Sequence, residues 1–69
     1  MQKLIDTFSI MQGDKEIDRF DFYTKDNNHG SISNRSGCLF DGYILEAQDV
    51  WEKKREDMKL VEMLGLRVV

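Results

Sequence analysis

Cysteine occurs once in these 69 residues, histidine once, and proline not at all. One cysteine cannot close an internal disulfide, and one cysteine with one histidine cannot fill a four-ligand structural zinc site. A chain this short buries only ~60% of its unfolded surface. With the usual staples missing, oligomerisation is the remaining common source of extra stability, and a homo-oligomer, most simply a homodimer, is expected. Long apolar runs are also missing, which excludes a membrane span and a signal-peptide core. A lone thiol without an export signal fits a reducing, cytoplasmic setting.

Against these absences, 41% of the residues are hydrophobic, enough for one ordered domain over residues 1–69. Thirteen acidic and ten basic residues leave a net charge of −3. That balance argues against dominant binding to a phosphate backbone, which shows as a basic patch or a high pI.

The stretch from Lys3 to Lys25 reads as two strands turning at Gly13-Asp14. Register decides which side chains share a face, because a one-residue slip flips them all. A two-residue loop sets Asp6 opposite Asp21 and splits the phenylalanines. A loop of three or five residues gathers Leu4, Phe8, Ile10, Phe20 and Phe22 on one face, marred only by Asp6 and Asp18, and is expected here. The polar stretch Thr24–Gly37 reads as a loop between the second and third strands, with Ile32 able to anchor a short extra hairpin. Cys38–Glu46 follows as a third strand, with Cys38, Phe40 and Ile44 inward and Leu39, Tyr43 and Leu45 outward.

Asp49 and Glu52 form a D-x-x-E helix start. Val50, Trp51, Met58, Val61 and Leu64 recur at helical spacing, and Gly65 stands where a left-handed residue ends a helix. The helix is expected over 49–64, with a short strand after it. The fold class is therefore α+β, a small antiparallel-type sheet in β-β-β-α-β order with one amphipathic helix on one face. One helix covers one face only. The other would carry Ile5, Met11, Ile17, Tyr23, Leu39, Tyr43 and Leu45, an apolar surface of the kind that marks an interface.

No motif for chemistry stands out. Asp14, Glu16 and Asp18 suggest a calcium loop, but the sixth position is Arg19 and the twelfth Lys25, where an EF-hand needs glycine and glutamate. Cys38 and His29 are the one conceivable thiolate–imidazole pair, with no third group selected to orient the ring. Neither phosphate-binding glycine fingerprint is present. Neither catalytic residue, metal nor cofactor is assigned. Lys54 interrupts the helix's apolar stripe and reads as a snorkelling side chain or a partner contact. Trp51, at the stripe's edge, is core or, if exposed, a binding hot spot.

The sequence thus points to a non-enzymatic protein-binding module, a small regulator, inhibitor or adaptor. Its contact residues would be Tyr23, Leu39, Tyr43, Leu45, Trp51, Lys54 and Arg35. Small regulators of this size are frequent in phages and other mobile elements, which is an association and not a deduction. The competing expectation is a nucleic-acid-binding regulator using the loop from Lys25 to Arg35.

Overall fold

The computed structural model describes residues 2–69. The elements are β1 (Lys3–Gln12), β2 (Lys15–Thr24), β3 (His29–Asn34), β4 (Gly37–Tyr43), α1 (Ile44–Met63) and β5 (Arg67–Val68). They form a five-stranded antiparallel sheet in the order β4-β3-β2-β1-β5, with the helix across one face. The α+β class is as the sequence implies. Four strands precede the helix instead of three.

The β1–β2 hairpin reaches the expected face by another route. Its loop is the two-residue Gly13-Asp14 turn, since Gln12 pairs with Lys15, and Gly13 sits at φ 63. An odd loop is therefore not used. A bulge does its work: Ile10 pairs with Asp18 but Met11 with Glu16, leaving Ile17 over. One extra residue shifts the register by one, which brings Phe8 opposite Phe20 with their rings stacked at 5.0 Å. A second irregularity at Ile5 turns the strand again and sets Leu4 beside Tyr23, so Leu4 is exposed and not core.

The segment expected as a loop over 24–37 holds β3. Its residues pair with β2 on one side and β4 on the other, and Gly30 and Ile32 face inward. Ile32 has no exposed surface and Gly30 lies under the helix. A Cβ at Gly30 would come within 2.9 Å of the Ala47 Cβ and of the Ile44 Cδ1. Here glycine is what lets the helix approach.

The helix begins at Ile44, five residues before the Asp49 start signal. Tyr43 is its N-cap and gives no side-chain hydrogen bond. The Asn28 carbonyl accepts the Ile44 amide at 2.8 Å instead, so strand pairing carries straight into the helix. Ile44 and Leu45 are thus helical, not part of a strand. Gly65, at φ 92, ends the element as expected.

Phe8, Ile10, Phe20, Phe22, Ile32, Ala47, Trp51 and Met58 are the core, with Phe40, Ile44, Val50, Val61, Leu66 and Val68 packed around it. Burying each large side chain is worth about 1.5–3 kcal/mol. Leu64, placed on the apolar stripe by spacing, is 81% exposed, because the helix ends beyond the sheet's cover. Cys38 is also exposed. Leu39 is left over by a third bulge, between the pairs Ile32–Phe40 and Ser33–Cys38, which breaks the strict alternation that put Cys38 inward.

Candidate functional site

The sheet face away from the helix is less continuously apolar than expected, although Ile5, Ile17, Leu39, Tyr43 and Leu45 are all exposed. Its middle is a polar lattice. Thr7 donates to Asp21 at 2.8 Å, Arg19 to the same carboxylate at 3.0 Å, and Ser9 to Glu16 at 3.1 Å. The bulges explain the difference, since Ile5, Ile17 and Leu39 are the three left-over residues and Leu45 belongs to the helix.

The strand edges are more informative. Four stretches lack a neighbour, one of them the outer side of the two-residue β5. β5 pairs only with Ile10 and Met11, and Val69 exchanges both backbone bonds with Ser9, so β1 is uncovered toward its start. β3 pairs only with Asp21–Thr24, so the first half of β2 is uncovered. The whole outer side of β4 is uncovered.

In an antiparallel ladder, successive residues aim their backbone groups to opposite sides. Ser9 bonds to β5, so Thr7 also aims outward from β1, and Arg19, opposite Ser9, aims outward from β2. Both amides are closed by the preceding carboxylate. Asp6 Oδ1 accepts the Thr7 N–H at 2.9 Å, and Asp18 Oδ1 accepts the Arg19 N–H at 2.8 Å. The two acids that spoiled the hydrophobic face in the sequence are edge caps. Asp6 does more: its Oδ2 accepts the indole N–H of buried Trp51 at 3.1 Å and lies 3.4 Å from Arg55. Closing free edges in this way keeps other strands from adding to them.

β4 is different. The Lys25 amide bonds to the His29 carbonyl and the Ile44 amide to the Asn28 carbonyl, which sets the phase across β3. Gly42 and Phe40 therefore aim at β3, while Asp41 and Tyr43 aim outward. Neither outward amide has a protein partner among the described residues' side chains. Beside this edge stand Leu39, Tyr43 and Leu45, which are 42%, 66% and 72% exposed.

The Tyr43 ring is held in place. It stacks on His29 at 6.1 Å, and His29 Nδ1 lies 3.1 Å from Asp26 Oδ1. The same Asp26 oxygen accepts the Asn28 amide at 2.7 Å and the His29 amide at 3.0 Å. The Asn28 amide bond, with His29 beside it, holds the Asp26 carboxyl below its ordinary value. Lys25 reaches Asp41 at 3.4 Å.

Of the contact residues expected from sequence, Leu39, Tyr43 and Leu45 therefore share the β4 edge. Tyr23 is half-buried on the far face. Trp51 is core, and Lys54 is half-buried along the helix. Arg35 stands in the β3–β4 turn, bonded to Glu16 at 2.9 Å, at the opposite end of β3 from Lys25. His29 opposes Tyr43 while Cys38 opposes Ser33, so these two lie about 13 Å apart along the sheet and make no pair. Asp14, Glu16 and Asp18 are divided between the turn, the far face and an edge cap. No group of three or more potential metal ligands converges among the described residues.

Two surface features went unread in the sequence. Leu60, Met63 and Leu64, spaced three and four apart, form an exposed apolar tip on the outer side of α1. A shallow cleft of about 210 Å³ lies between α1 and the β1–β5 edge, over Phe8, Met58 and Val68. Comparison with protein-family models, curated proteins and solved structures finds no match.

Proposed function

We propose that the chain is a non-enzymatic protein-binding module, a small regulator, inhibitor or adaptor that engages its partner at the β4 edge. One observation carries the reading. The Thr7 and Arg19 amides on the uncovered parts of β1 and β2 are closed by Asp6 and Asp18, whereas the Asp41 and Tyr43 amides of β4 carry no such cap and stand beside exposed Leu39, Tyr43 and Leu45. Aromatic and apolar anchors around unpaired backbone are what strand-adding recognition uses. His29 stacking on Tyr43 reduces the freedom the anchor loses on binding. An exposed single thiol suits a reducing compartment, so the partner is read as cytoplasmic. The nucleic-acid reading loses support, because Lys25 and Arg35 are each matched by a carboxylate and stand at opposite ends of β3.

The test is a position scan with a photocrosslinking amino acid in cells. Adducts should form at positions 39, 43 and 45 and not at 52 or 56 on the helix. Adducts confined to positions 60, 63 and 64, or no adducts at all, would overturn the reading.

A further inference from the structure

Resting on that reading, we infer that the β4 edge takes an extended segment of a different protein as an antiparallel sixth strand, with a lysine or arginine opposite Asp41 and apolar residues two positions to either side. The backbone limits the options. Asp41 offers both its N–H and its C=O outward, which one residue of an antiparallel strand satisfies as a closely bonded pair. Tyr43 offers only its N–H, because as N-cap its carbonyl accepts the first intrahelical bond. The bulge at Leu39 ends regular pairing on the other side.

These limits act against a second copy of the chain. Two-fold pairing centred on Asp41 sets two carboxylates directly opposite each other, which is destabilising. Centring on Gly42 needs the Tyr43 carbonyl, already held by the helix. Centring on Phe40 puts the bulged Leu39 opposite Asp41. A foreign strand with a basic residue opposite Asp41 avoids the carboxylate clash and can centre its closely bonded pair on Asp41, where neither the Tyr43 carbonyl nor Leu39 is needed.

Side chains then set the occupant's chemistry. Leu39 and Tyr43 flank Asp41 along the edge, so matching residues alternate apolar, basic, apolar. Lys25 contacts Asp41 at 3.4 Å from the other side, with both side chains about half exposed, so the carboxylate keeps acceptor capacity for a second cation.

The probes are two capped seven-residue peptides that alternate valine and threonine, with lysine or with glutamate at the centre, titrated into the 15N-labelled chain. The lysine peptide should shift the Asp41 and Tyr43 amides, slow their exchange, and bind about fivefold more tightly than the glutamate peptide. Asp41→Lys should reverse that order. Shifts centred on Thr7 and Arg19, equal binding of the two peptides, or exchange protection at Asp41 that rises with chain concentration alone would overturn the inference. If the crosslinks at 39, 43 and 45 form but neither peptide binds, strand addition fails and the protein-binding reading stands. If the peptides bind as expected and no crosslinks form, strand addition holds and the cellular reading fails.

Discussion

Replacing Asp6 with alanine should destabilise the chain by about 2 kcal/mol. Trp51 is only 5% exposed and its indole N–H has Asp6 as acceptor. Leaving a buried donor unmatched costs about 1–3 kcal/mol. The Arg55 contact adds less than about 1 kcal/mol, since Arg55 is 56% exposed and the pair is screened. Thr7 loses its cap but gains water at an open edge, which is nearly neutral. A 69-residue domain has a total stability of roughly 3–10 kcal/mol, so the change is large. With a urea slope near ~1 kcal/mol/M for so small a chain, the midpoint should fall by about 2 M. Asp6→Asn, which keeps an acceptor, should lose less than half as much. A double-mutant cycle with Trp51→Phe should give a coupling of about 1–2 kcal/mol, because either change alone breaks the same bond. An Asp6→Ala midpoint within ~0.5 M of the parent, or strict additivity with Trp51→Phe, would refute the reasoning.

Gly30→Ala forces a methyl to 2.9 Å from Ala47 and 3.0 Å from Phe22. It should cost about 1–3 kcal/mol in thermal unfolding, and Ala47→Gly should recover part of the loss. Phe40→Asp, which puts a charge against the core, should unfold the chain or nearly so, whereas Tyr43→Asp and Leu45→Asp should keep the circular dichroism and midpoint of the parent; the opposite ranking would invert the assignment of faces. Because folding lowers the Asp26 pKa, its stabilising contribution is present above the ordinary carboxylate pKa and is lost as pH falls through the lower folded value. Protection of the Asn28 and His29 amides relative to their intrinsic exchange rates, measured by NMR, should therefore fall as pH drops below the ordinary carboxylate range, and Asp26→Asn should remove that dependence.

The core was legible where apolar residues alternate strongly. Phe8, Ile10, Phe20 and Phe22 had to share a face, and they do. How the chain reaches that register was not legible, since an odd loop and a two-residue turn with a bulge satisfy the same hydrophobic pattern. β3 was hidden because four of its six residues are histidine, serine or asparagine, and its two inward positions are a glycine and an isoleucine. Only the neighbouring strands make it a strand. The helix start was misplaced for a related reason. Asp49 and Glu52 look like a local cap, but the amide of Ile44 is satisfied by Asn28, sixteen residues earlier in sequence and adjacent in the sheet.

The candidate site was legible in part, for a partly mistaken reason. Tyr43 and Leu45 are exposed as expected, but the two do not share a strand face. Tyr43 is on the last strand residue and Leu45 on the helix that follows it. Asp6 and Asp18 read as flaws in an apolar face because a bond from a side chain to the next residue's amide leaves no spacing to recognise. Only the sheet order shows that the amides they cover are on open edges. That link separates the edge amides a carboxylate covers, at Thr7 and Arg19, from those left bare on β4, at Asp41 and Tyr43. A carboxylate at the edge serves opposite ends in the two cases: turned back onto its own backbone, as at Asp6 and Asp18, it removes a donor from an incoming strand, whereas Asp41 leaves its backbone free and repels only an acidic or identical one.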